Sequence, residues 1–167
     1  MLVLGIDPGV AITGYGLLAG PADDARLTTS GVITTPSTLS LSQRLVVLYE
    51  ALTELVARYR PHAAAVEQVF FGRNARTALA VGHGRGVALL ALARSGLPVY
   101  EYTPMQVKQA VVGYGRADKQ QVQEMVRILL HLDAVPEPDD AADAVAVALC
   151  HLHTCRLNAL LGAEVER

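Results

Sequence analysis

The first 34 residues read as three strands in succession, and from Ser40 onward the pattern switches to helices alternating with single strands. That order of elements limits the possible folds more than any other feature of the chain. Strands are expected at 2–7, 13–19 and 26–34; Gly9 with Thr13-Gly14 closes the first turn and "GPADD" at 20–24 the second, which suggests an antiparallel meander. Ser40 with Gln43 forms a capping-box pattern, and Leu45, Leu48, Leu52, Leu55 and Val56 recur at helical spacing until Pro61. A buried strand is expected over 63–70, a long helix over 74–96 and another strand over 98–102. Thr103, with Pro104 and Gln106, opens a short helix, and Asp118 with Gln121 opens the next. A loop holding Pro136 and Pro138 then leads into a final helix from about 139 to 161. These elements imply an α/β fold: a mixed five-stranded sheet, its later strands parallel, flanked by helices. With 167 residues, 51% of them hydrophobic, the chain fills one core and is short for two, so a single domain over 1–167 is expected, with a disordered tail from about residue 160.

Nowhere do eighteen apolar residues run together, and the N-terminus lacks a basic-then-apolar leader, so a cytoplasmic protein without a membrane span is expected. Two cysteines make no disulfide framework. A net charge of −2 argues against a uniformly basic nucleic-acid coat but leaves room for local phosphate-binding patches.

Acidic residues stand where such a fold gathers ligands, at the carboxyl ends of strands. Asp7 ends the apolar run "LVLGID", and Glu67 ends "AAAV". Asp140 and Asp143 stand three apart at the start of the last helix and share a face. Each has a structural reading: Asp7 as a turn residue in Asp-Pro-Gly, Glu67 in a salt bridge, the two aspartates as helix-start residues favoured by the macrodipole. Brought to one place, four carboxylates would repel each other and raise their own pKa values unless a cation neutralised them. Oxygen donors without histidine or thiolate suit Mg²⁺ or Mn²⁺, and a pair of such ions clamps both oxygens of an in-line phosphoryl displacement. In that arrangement Asp7 bridges two ions, Glu67 holds one, and Asp140 with Asp143 holds the other.

The segments "GIDPGVAITGYG", "VEQVFFGRNA", "GHGRGVAL", "VYEYTPMQVKQAVVGYGRADKQQVQ" and "PDDAADAVAVALCH" resemble, in order and spacing, the RuvC family of Holliday-junction resolvases over roughly residues 3 to 155. The resemblance implies a ribonuclease H-like fold, a homodimer, the branch-migration proteins RuvA and RuvB as partners, and metal-dependent cutting of opposed strands at a four-way DNA junction. Recombination and DNA repair would be its setting, with 5′-phosphate and 3′-hydroxyl products. It places the family's acidic quartet on Asp7, Glu67, Asp140 and Asp143, its basic residues near the scissile phosphate on Lys108 and Lys119, and its junction-centre aromatic on Phe70. Phe71, Arg73, Asn74, Arg76 and Arg116 complete the expected DNA contacts, an aromatic-and-basic loop being suited to stacking on an unpaired base with phosphates around it. Val10 and Ala11 occupy a turn that is more polar in many relatives, and the chain ends "GAEVER" where some carry a basic tail.

Two other stretches carry less chemistry. In "CHLHTC", Cys150 and His153 face one way on a helix and His151 and Cys155 another, so the four cannot meet one zinc. "GHGRG" at 82–86 lacks the strand a phosphate loop needs; Gly82 and Gly86 fit close helix packing at a dimer seam, and Arg85 an ion pair. The alternatives are a ribonuclease H-like nuclease on another nucleic acid, a non-catalytic junction-binding module, and an actin-like phosphotransferase, whose second subdomain 167 residues do not supply.

Overall fold

The computed structural model describes residues 1–68 and 75–162, the side chains of 75–77 excepted. Leu2–Asp7 (β1), Ile12–Ala19 (β2) and Arg26–Thr34 (β3) form the expected meander, with a short 3-10 turn at Ala22–Asp24. There follow Leu41–Tyr59 (α1), Ala63–Glu67 (β4), Ala75–Arg94 (α2), Val99–Tyr102 (β5), Pro104–Val112 (α3), Lys119–Leu129 (α4) and Asp139–Leu161 (α5). The sheet order is β3-β2-β1-β4-β5. β1 pairs antiparallel with β2 and β2 with β3, whereas β1 with β4 and β4 with β5 are parallel.

The helix starts are written into the sequence. Ser40 with Gln43, Thr103 with Gln106 and Asp118 with Gln121 each form a reciprocal capping box, satisfying two backbone amides that the first turn leaves without partners. The strand expected over 63–70 is shorter: β4 ends at Glu67, Gln68 still donates its N–H to the Tyr102 carbonyl at 2.7 Å, and 69–70 lie outside the described residues. α5 runs through Leu161, across the start of the expected tail, whose residues 163–167 also lie outside them.

Strand alternation sorts side chains onto two faces. Leu4, Ile6, Leu17, Ala64 and Val66 pack with Leu48, Leu52 and Leu92 of α1 and α2. Val3, Leu18, Ala65 and Tyr102 pack with α3, α4 and α5. α5 is the one described helix long and apolar enough to cross a bilayer. Yet eleven of its residues, all but one of Ala141 to Leu152, are buried in the protein. A helix sunk between sheet and neighbouring helices is apolar all round.

α5 reaches that position because the strands beneath it carry glycine. A Cβ on Gly5 would stand 2.0 Å from the Ala144 carbonyl oxygen, and one on Gly14 would stand 1.9 Å from that of Asp140. Backbone therefore lies directly on backbone, a separation no other residue allows.

Candidate active site

Asp7 and Glu67 end adjacent parallel strands. The register Ile6↔Val66 brings them side by side, and alternation turns both toward α5, since Leu4, Ile6, Ala64 and Val66 occupy the opposite face. Asp7 pairs with Gly14, on which the Asp140 backbone rests, so the first turns of α5 carry Asp140 and Asp143 over the same strand ends. The turn after Asp7 is tied down from several sides. Thr13 Oγ1 accepts the Gly9 N–H at 3.2 Å and donates to the Gly9 carbonyl at 2.6 Å; Thr35 Oγ1 donates to the Val10 carbonyl at 2.6 Å, and Arg44 Nε donates to Thr35 Oγ1 at 2.8 Å.

Burial is the main electrostatic fact here. It pushes the Asp7 carboxyl up to about 7, with Asp143 and Asp140 adding to the rise and Lys119 opposing it. Burial likewise pushes Glu67 up to about 7, reinforced by Asp7 and Asp143 and opposed by Lys108 and Lys119. Asp143 is raised too, since its burial outweighs the lysine beside it. Lys119 Nζ stands 2.9 Å from Asp143 Oδ2 and 3.3 Å from Asp139 Oδ2, and the Asp143 hydrogen bond raises the lysine's own pKa. Glu67, Asp143, Lys108 and Lys119 line a cleft together with the apolar Pro104, Val107, Val122 and Ala146.

The described residues thus bring together Asp7, Glu67, Asp140, Asp143, Lys108 and Lys119. Arg116 lies exposed between α3 and α4. Phe70, Phe71, Arg73 and Asn74 lie outside the described residues, and Arg76 sits in the first turn of α2 with its side chain outside them. Asp139, which sequence reasoning does not nominate, joins the group through its ion pair with Lys119.

Among the described residues no three histidine, cysteine or carboxylate side chains stand gathered as a metal cage. The chemistry of the donor set nonetheless fits a hard divalent cation. Asp7 and Glu67 offer only oxygen, and their burial and mutual repulsion leave negative charge that a cation would relieve.

The two stretches of lesser chemistry have structural partners. Arg85 pairs with Glu101, and "GHGRG" is continuous helix. Gly84, rather than Gly82 or Gly86, makes the close contact within the chain: its Cβ would stand 2.9 Å from the Gly9 carbonyl. His151 hydrogen-bonds to the Tyr102 hydroxyl at 2.8 Å and lies 3.4 Å from Cys155 Sγ, while His153 bonds to the Ala110 carbonyl at 2.8 Å.

Sheet order and flanking helices define the class as a ribonuclease H-like resolvase fold. The yeast mitochondrial Holliday junction resolvase Ydc2 shares that fold at a TM-score of 0.64 and 15% identity, over 90% of this chain and 78% of its own. Residues 3–151 match the family model for crossover junction endodeoxyribonuclease RuvC. The RuvC of Ruminiclostridium cellulolyticum is 54% identical over 98% of this chain and 99% of its own length. The T. thermophilus RuvC structure, solved in complex with Holliday junction substrate, superposes at a TM-score of 0.89 with 42% identity, over 95% of this chain and 96% of that one. The chain belongs to the RuvC family of crossover junction endodeoxyribonucleases.

Proposed function

We propose that this chain resolves four-way DNA junctions in recombination and repair by hydrolysing phosphodiesters in two opposed strands, without a covalent protein intermediate. The observation that carries this reading is the buried acidic centre of Asp7 and Glu67 at two parallel strand ends, with Lys108 and Lys119 on the wall of the same cleft. Asp7, Glu67, Asp140 and Asp143 would hold the divalent cations, Mg²⁺ or Mn²⁺, two to a site. When bound, those ions polarise the scissile phosphate and acidify the attacking water.

The chain's own part is placement. The glycine-seated α5 fixes Asp140 and Asp143, the tied turn holds Asp7, and the pairing of β4 with β1 and β5 places Glu67. Lys108 and Lys119 offset charge on the phosphate without reorganising as the reaction proceeds. Phe70 would stack on an unpaired base at the junction centre, with Phe71, Arg73, Asn74, Arg76 and Arg116 contacting the flanking DNA.

The working unit in this reading is a homodimer of single-domain subunits, whose paired sites face opposed strands of a two-fold symmetric junction. Supporting it, α2 carries an outward stripe of Leu79, Gly82, Gly86 and Leu90: both leucines are more than half exposed, and among the described residues neither glycine's Cβ would meet another part of the fold within 4 Å. Sedimentation equilibrium should give a dimer for the native chain and a monomer for Gly86→Arg. Family membership supports the cytoplasm as its compartment and RuvA and RuvB as its partners in this reading.

The function is tested on a labelled four-way junction beside linear duplex and single strand, with Mg²⁺ or Mn²⁺. Paired symmetric nicks in the junction alone, absent with Asp7→Asn, are the expected result. Equal cutting of duplex would favour a nuclease of broader substrate range, and junction binding without cuts a non-catalytic module.

A further inference from the structure

Lys119 is the first residue of α4, and its backbone is fixed by the cap before it. Asp118 Oδ1 accepts the Gln121 N–H at 2.9 Å; Gln121 Oε1 accepts the Asp118 N–H at 2.9 Å and the Tyr114 hydroxyl at 2.7 Å. Where the ammonium lies is therefore left to the side chain alone. It lies between two carboxylates of α5, 2.9 Å from Asp143 and 3.3 Å from Asp139. Those two are one helical turn apart and share a face, but their surroundings differ. The Asp143 side chain is 28% exposed and lines the cleft; that of Asp139 is 68% exposed and does not.

A divalent cation entering the cleft must take Asp143 from Lys119. A lysine with no second anchor would then swing on four rotatable bonds, or return to Asp143 and compete with the cation. A carboxylate one turn away offers the ammonium a partner outside the cleft. We propose that Asp139 is a positioning residue for Lys119: it holds the ammonium at the rim when Asp143 is engaged, so that Asp143 is released readily and the lysine stays beside the phosphate. This rests on reading Asp143 as a cation ligand. Aspartates at a helix start are ordinarily explained by the macrodipole, and that explanation gives Asp139 no link to Lys119.

The test is a double-mutant cycle read by calorimetric Mn²⁺ binding to the DNA-free full-length chain, with thermal melting to verify folding. Asp139→Asn should weaken Mn²⁺ binding by about threefold, the scale of an exposed ion pair. Asp139→Glu should restore it, and the loss should vanish in a Lys119→Met background. An equal loss with and without Lys119 would make Asp139 merely a nearby negative charge, and unchanged or tighter binding in Asp139→Asn would also overturn the proposal. Asp143→Asn separates the two layers. If it leaves Mn²⁺ affinity unaltered, the ligand reading falls and the proposal with it; if it abolishes binding while Asp139→Asn changes nothing, only the proposal falls.

Discussion

The two faces of the sheet are built from different materials. On the α1–α2 face, Leu4, Ile6 and Leu17 interlock with Leu48, Leu52 and Leu92, all nearly fully buried. On the α5 face, Gly5 and Gly14 lie against the backbone of Ala144 and Asp140, and Asp7 and Glu67 stand among them, their charged forms disfavoured by burial. Bulky interdigitating side chains supply stability and absorb small shifts by repacking. Backbone seated on backbone absorbs none, so it supplies position. Both faces carry a packed core, and the second also fixes position.

The largest expected effect sharpens that contrast by setting activity against stability. Asp7→Asn should lower junction cleavage more than about a hundredfold, the loss expected for a group that fixes a metal. Without divalent cation it should raise Tm by about 5 °C. The sign follows from linkage. A carboxyl held near 7 in the folded chain and at its ordinary 3.8 when unfolded costs stability progressively as pH rises through that window, and the amide removes the cost. Melting curves in EDTA and in Mn²⁺, beside cleavage assays, check it; a lower Tm in EDTA would remove the idea that this face sacrifices stability.

A paired comparison comes next. Leu52→Ala should cost about 2–5 kcal/mol in denaturant unfolding and leave the cleavage rate of the folded protein unchanged. Gly14→Ala should show the reverse emphasis, because its new methyl meets the Asp140 carbonyl at 1.9 Å and must lift the start of α5. A displacement of that order costs about a hundredfold in rate at temperatures where the variant remains folded. Equal rate losses in both variants would break the division of labour between the faces.

The smallest effect is in the acid range. Burial holds His151 down to about 4, so the unfolded chain takes up its proton first and stability falls as pH drops from 6.5 toward 4. That displacement corresponds to about 3 kcal/mol. Asp7 and Glu67 act in the opposite sense over the same range, since protonation relieves their buried charge. His151→Gln should therefore leave a metal-free protein whose stability rises as pH falls from 7 to 4, readable in urea titrations at stepped pH. A native-like decline in this variant would show that the histidine carries no part of the acid response.

Much of this was legible in one sequence because the relevant signals are local. Two apolar strand runs ended on Asp7 and Glu67, and spacing put Asp140 and Asp143 on one helix face. Three capping boxes fixed the starts of α1, α3 and α4. What escaped depends on how elements meet. Lys119 shares itself between Asp139 and Asp143 only because α4 lies across the start of α5, and no spacing within either helix encodes that approach. Gly84 rather than Gly82 or Gly86 makes the internal contact because the turn after Asp7 happens to lie beneath it. His151 reads as one of four possible zinc ligands, yet its hydrogen bond to Tyr102 comes from β5 packing under α5.

The seating of α5 on Gly5 and Gly14 also sets how the site comes apart. A carboxylate on a loop can fray open while the rest of a protein stays folded, exposing its neighbours' amides to solvent exchange at little free-energy cost. Here the helix that carries Asp140 and Asp143 is also the buried spine of one core layer, from Ala141 to Leu152. Amides of the middle of α5 and of β1 should exchange with deuterium together, and only at the rate of global unfolding. The carboxylates carried by β1 and α5 then have no partly melted arrangement: each molecule holds them in place or is unfolded.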